Sequence, residues 1–278
     1  MISPRRFHPL FVILVALVAS SCATKQGPAA APASPASAAP STRTIPRTTD
    51  GKPDLQGIWQ VRNRAAYGLE YHSAGFGILP GKSVVADGTI PYTPAALKTR
   101  NANYEQRAEL DPFNKCFMPG VPRIMYLEQP FQIFQAKDHV AMTFEWSQVF
   151  RLIYTDGSKH VDGIEFWMGD SRGRWEGDTL VVEVANFNDQ TWLDAGGNFH
   201  SEQLKLTERY NMLDADTIQY EVTLEDPKVY TRPWKISMPL HRQKELDRLL
   251  EYQCQAEREE SNGAFERDER TWYPKPKP

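Results

Sequence analysis

The segment from Phe199 to Asn211 sets its polar and apolar residues on a period of two. Ser201, Gln203, Lys205, Thr207, Arg209 and Asn211 occupy one face, and His200, Glu202, Leu204, Leu206, Glu208 and Tyr210 occupy the other, as alternation along a strand requires. The leucines mark the second face as core, so a histidine and two glutamates are expected inside. A buried carboxylate must find partners or shift its pKa upward, and such shifts concentrate at functional sites. His200 and Glu202 would stand about 7 Å apart along the strand, within reach of one small ligand, whereas Glu208 would lie roughly 20 Å beyond Glu202. The chemistry this predicts is acid–base, with Glu202 or Asp194 as general acid or base and His200 orienting it or trading the proton. Glu208 is expected instead as a core glutamate paired with an arginine.

The preceding loop, Asn186 to Asp194, adds amides, acids and an indole at what should be the same end of the strand. Asn188, Asp189 and Trp192, with Arg123 from another loop, are the candidate ligand-binding residues, a mixture suited to a polar organic molecule such as a sugar or a phenolic compound. The competing structural reading has His200 capping the strand by bonding a carbonyl and Trp192 packed as ordinary core. His72, His139, His160, His200 and His241 are scattered without a two-histidine ligand spacing. Only His200, Glu202 and Asp194 could assemble a metal site, so none is expected. Gly169-Asp170-Ser171-Arg172-Gly173 lacks the spacing of a nucleophile elbow, and no phosphate loop or dinucleotide fingerprint is present. No cofactor and no nucleotide partner are expected.

These residues need a scaffold, and the pattern of the chain predicts a mainly β one. After a long loop from Ala65 to Ile90, Thr93 and Pro94 stand as N-cap and first residue of one helix expected to reach about Glu109. Pro119 and Pro122 stiffen the loop from Cys116 to Arg123. Alternating runs then follow at Val140–Trp146, Gln148–Tyr154, Leu180–Asn186, His200–Tyr210, Ile218–Leu224, Trp234–Leu240 and Leu250–Cys254, with Asp54–Val61 as an earlier first strand. Such a meander must hide its edges, and closure removes them. The expected fold is an antiparallel up-and-down barrel with one helix and long loops, and the alternative is a two-sheet sandwich. Gly57-Ile58-Trp59 resembles the G-x-W of the first lipocalin strand.

The N-terminus places Arg5 and Arg6 before an apolar run from Phe11 to Val18, the architecture of a signal peptide over residues 1–21. Ala19-Ser20-Ser21-Cys22 resembles the lipobox of bacterial lipoproteins, which implies a lipidated Cys22 and a membrane partner through the anchor; cleavage to a soluble periplasmic or secreted form is the alternative. Ala23 after that cysteine resembles the outer-membrane sorting pattern. Residues 22–44 are almost entirely Ala, Pro, Ser and Thr, a tether with little to bury, and residues 45–278 are expected as a single domain. With 32 basic against 35 acidic residues the net charge is −3, which offers no field for a nucleic-acid backbone. Besides Cys22 only Cys116 and Cys254 remain. In an oxidising compartment they either form one disulfide or stay as separate buried thiols.

From Pro53 to Cys254 the chain resembles a large family of uncharacterised secreted bacterial proteins. The resemblance is carried by Lys115-Cys116-Phe117-Met118-Pro119-Gly120-Val121-Pro122-Arg123, by Gly169 to Leu180 (GDSRGRWEGDTL), by Phe187 to Asp194 (FNDQTWLD) and by His200-Ser201-Glu202. It implies export and a shared domain but no reaction. Three functions therefore compete: an envelope-tethered barrel binding a small polar or amphipathic ligand at its mouth; a metal-independent lyase, isomerase or glycoside-type hydrolase using Glu202 and His200; and a structural envelope protein.

Overall fold

Most of the alternating runs form strands that turn an apolar row to a shared interior, whereas the Gln148–Tyr154 run turns Phe150, Leu152 and Tyr154 outward and buries Arg151 and Ile153. In the computed structural model, which describes residues 44–75, 78–261, 265–267 and 274–276, β1 (Gly57–Val61), β2 (Phe131–Gln135), β3 (His139–Phe144) and β4 (Phe150–Tyr154) are followed by β5 (Asp170–Glu176), β6 (Thr179–Ala185), β7 (Lys205–Asp214), β8 (Thr217–Glu225) and β9 (Trp234–Arg242). They make one closed barrel in chain order. Closure comes from β1 pairing with β9, Trp59 opposite Arg242 and Val61 opposite Leu240. The signal segment, Cys22 and the tether up to Arg43 lie outside the described residues. Among the described residues no helix is long and apolar enough to cross a membrane.

The barrel is mixed rather than wholly up-and-down. A ring of nine strands cannot be antiparallel at every junction, since the direction would reverse nine times and return opposed to its start. The exception falls between β4 and β5, which run parallel and share only the pairs Ile153–Ser171 and Tyr154–Arg172. A parallel junction needs a crossover connection, and residues 155–169 provide it. The β5–β6 hairpin by contrast turns tightly at Gly177, whose φ of 59° belongs to the left-handed region that glycine tolerates.

Apolar rows fill the interior. In β8 Ile218, Tyr220, Val222 and Leu224 are all buried, and in β9 Trp234, Ile236, Met238 and Leu240 match them. The 3₁₀ turn Arg123–Tyr126 is buried at every residue, and the Arg151 guanidinium meets its Met125 sulfur at 3.9 Å. The outer surfaces of neighbouring strands differ: β5 to β7 carry an exposed ladder of Arg174, Glu176, Glu183 and Arg209, while β2 and β4 expose Phe134, Phe150, Leu152 and Tyr154.

Three expectations about elements need correction. The single helix is two, α1 (Pro94–Glu105) and α2 (Arg107–Leu110), although Thr93 does cap the first, its hydroxyl accepting from the Ala96 amide at 3.2 Å. The run ending at Cys254 is not a strand, because a closed barrel has no free edge to receive it; Cys254 instead begins α3 (Cys254–Ser261). Finally, β7 begins at Lys205, so residues 200–204 precede the strand. A two-stranded sheet of β10 (Phe265–Arg267) and β11 (Pro274–Pro276) lies outside the barrel ladder. Cys116 and Cys254 form a disulfide with Cα atoms 5.6 Å apart, fastening the start of α3 to the proline-rich loop.

Candidate functional site

From Leu204 to Met212 the even-numbered residues do face inward, and they bring Glu208 to the centre of the barrel with no exposure. Its ladder neighbours are Val182 and Val222, so nothing on its own row can solvate the charge. Arg151 on β4 does so from across the interior: Nη1 donates to Glu208 Oε1 at 3.1 Å and Nη2 donates to Oε2. The hydroxyls of Tyr210 and Tyr220 donate to Oε1 at 3.0 and 2.7 Å, and Arg151 also donates to Ser171 Oγ at 3.0 and 3.1 Å. Burial, reinforced by the Glu208 charge, pushes both tyrosine hydroxyls far above their ordinary range, so they stay protonated. Every strong group in this knot is engaged by another, as buried polar networks require.

A second knot ties the loops. Asp194 is fully buried and accepts from the amides of Leu69, Gly196 and Asn198 and from the Asn198 side chain, at 2.6–3.2 Å. Burial raises its pKa against the opposing pull of these donors and of Arg123. Arg123 is buried in a two-pronged pair with Asp111 at 2.8 Å on each prong, its guanidinium over the Phe113 ring. Tyr126 donates to the Leu193 carbonyl at 2.7 Å. The loop from Cys116 to Arg123 is thereby clamped against the loop from Thr191 to Asn198.

His200 belongs to this clamp. It is 2% exposed; Nδ1 faces the Ser201 carbonyl at 2.9 Å and Nε2 faces the Thr191 hydroxyl at 2.7 Å. A carbonyl can only accept, so the proton sits on Nδ1 and Nε2 accepts from Thr191. Burial lowers the histidine pKa, in keeping with a neutral ring. Gly120 closes over the pair: its φ is 74°, and a Cβ there would stand 2.5 Å from Thr191 Oγ1.

The expected pairing of His200 with Glu202 is therefore corrected. Ser201 breaks the alternation, its amide and hydroxyl both donating to Asp226 at 2.6 and 2.8 Å, and Glu202 follows in a turn that points it to solvent. There it pairs with Lys228, whose hydrogen bond lowers the Glu202 pKa. Asp194, proposed with them, sits in the other knot. Trp192 is buried beside Phe199 rather than presented as a platform. Asn188 accepts from the Gln190 amide at 3.2 Å and Asp189 accepts from the Gln190 side chain. Of the candidate catalytic and ligand-binding residues, Glu202 alone lines a roomy open space, which Asn186 and Phe187 of the preceding loop also line.

That space is a groove of about 1020 Å³ outside the barrel wall, at the end where β6 leaves and β7 enters. Three segments wall it: the crossover with Ile164 and Glu165, the Glu202–Lys205 turn, and the β8–β9 connection with Asp226, Pro227 and Arg232. Phe187, Leu204 and Tyr230 close its floor. Asn186 stands on its rim with φ 59°, held there by a side-chain bond to the Val161 carbonyl. A non-glycine residue in that region is uncommon, and such strain gathers at functional sites. Ile164, Glu165 and Arg232 carried no alternation and no motif, so local pattern could not assign them. Among the described residues no group of three or more metal-ligating side chains converges. No family model, curated protein or solved structure matches the chain.

Proposed function

We propose that the protein is an exported β-barrel, held at the cell envelope by a lipid on Cys22, that binds a small amphipathic organic molecule in the groove beside the barrel end. The resemblance to secreted bacterial proteins and the signal-like N-terminus support the first part. The observation that carries the second is the groove itself. Its volume of about 1020 Å³ is at the upper end of the range that holds small molecules, roughly 300–1,000 Å³. Its floor is apolar and its rim offers carboxylates, an amide and cations. The barrel interior, by comparison, is occupied along its axis by the Arg151–Glu208 knot and Met125.

Gln203 is exposed, lies in the turn and lines the groove, so Gln203→Trp should fill the space without touching the core. Binding to the native state raises the melting temperature by mass action. Compounds of one aromatic body, phenylbutanol and its charged relatives, should raise the wild-type melting temperature and lose that effect in Gln203→Trp. Binding that survives the plug would place the ligand elsewhere and sink the reading. For the anchor, Cys22→Ala should move the protein from the membrane fraction to the soluble periplasm; wild-type protein already wholly soluble would refute it.

A further inference from the structure

We infer that the groove selects an organic cation, an amine or quaternary ammonium group attached to an apolar body. This rests on the groove reading above and specifies its ligand. Six charged residues line the space: Glu165, Glu202, Glu225 and Asp226 against Lys205 and Arg232. Acids outnumber bases in this lining by four to two. Arg232 pairs at 2.9 Å with Asp87, which is not part of the lining, and Lys205 stands directly opposite Glu225 in the β7–β8 ladder.

The acids divide differently. Glu202 is neutralised by Lys228 at the edge of the groove. Asp226 is hydrogen-bonded by Ser201 and by the Lys228 amide at 3.1 Å, but no cation pairs with it. Glu165, on the exposed crossover, has no ion-pair partner among the described residues. The lining thus carries two more carboxylates than bases, and neither Glu165 nor Asp226 has an ion-pair partner among the described residues. The space between them is bounded by Ile164, Pro227 and the buried ring of Phe187. A molecule with a positive end and an apolar body matches both features. A carboxylate or phosphate of the same shape would meet the acidic excess of the same lining.

Three compounds of one body test this: phenylbutylammonium, phenylbutanol and phenylbutyrate, titrated calorimetrically against the intact domain at low and high salt. With two unit charges several ångströms away in a water-rich groove, the cation should bind roughly tenfold tighter than the anion at low salt. The gap should narrow as salt rises. Glu165→Gln should bring cation binding closer to that of the neutral compound, and because Glu165 is exposed and unpaired the fold should be unaffected. Equal or tighter binding of the alcohol or the carboxylate would overturn the cation assignment while leaving the groove as a binding site. Failure of all three to bind would overturn the groove reading, and the inference with it.

Discussion

The protein holds two concentrations of polar groups that behave in opposite ways. In the barrel knot, Arg151, Glu208, Tyr210 and Tyr220 are sealed from water and bond one another. In the groove, Glu165, Glu202, Asn186 and Arg232 surround a space large enough for a guest. The knot carries strongly perturbed tyrosines and an unusual placement of charge, yet its groups are sealed from water and bond one another. The groove has an accessible surface and room for a guest. Perturbed pKa values flag a site only when space accompanies them; here the strongest perturbations mark the scaffold.

The largest effect should come from breaking the knot on one side. Arg151→Met leaves Glu208 buried without its cation, which costs roughly 3–5 kcal/mol. For a domain of this size that lowers the melting temperature by about 10 °C. Removing both charges in Arg151→Met/Glu208→Leu should restore most of the loss, since a buried pair replaced by apolar residues is often neutral. If the single variant melts like wild type but loses groove binding, the contrast between knot and groove is reversed.

Gly120→Ala should have an intermediate effect. A side chain in the left-handed region costs about 1–2 kcal/mol, and the added methyl must also push Thr191 away from His200. Calorimetric unfolding measures the loss. A variant as stable as wild type would mean that the clamp between the two loops is looser than its contacts indicate.

The smallest effect is a pH slope. His200 has a folded pKa below its unfolded value of 6.5, so the unfolded chain binds protons more readily. Its contribution to stability is present above pH 6.5 and is lost as pH falls toward the folded value. His200→Gln, which retains an acceptor and a donor, should flatten stability against pH below 6.5 while leaving groove binding intact. An unchanged slope would assign the acid sensitivity to another group.

How much of this was legible depended on whether a local pattern reported a local cause. The inward row from Leu204 to Met212 and the rows of β8 and β9 were readable, because burial on one face imposes the period directly. β5 was not, since Arg172-Gly173-Arg174-Trp175-Glu176 is largely exposed and carries no apolar alternation. Glu208 as a core glutamate with an arginine partner was legible from its flanking leucines, but the partner, Arg151, was not. Glu202 was misplaced by extending the β7 alternation through Ser201. What stops it is Asp226, far along the chain, which captures Ser201 and starts a turn. The groove has the same character, assembled from three segments that meet only in the folded chain.

An odd-stranded ring has a mechanical consequence. A hoop opens at its thinnest join, and here that is the β4–β5 seam, where two residue pairs stand in for the seven that join β5 to β6. Arg151 lies on one side of that seam, and its guanidinium reaches Ser171 on the other and Glu208 beyond it. The buried charge acts as a cross-tie, carrying side-chain tension where the backbone ladder is sparse. Amide protons near Ile153 and Ser171 should then exchange through an opening whose free energy tracks this tie, so that loosening the arginine unfastens the hoop before it unfolds the wall.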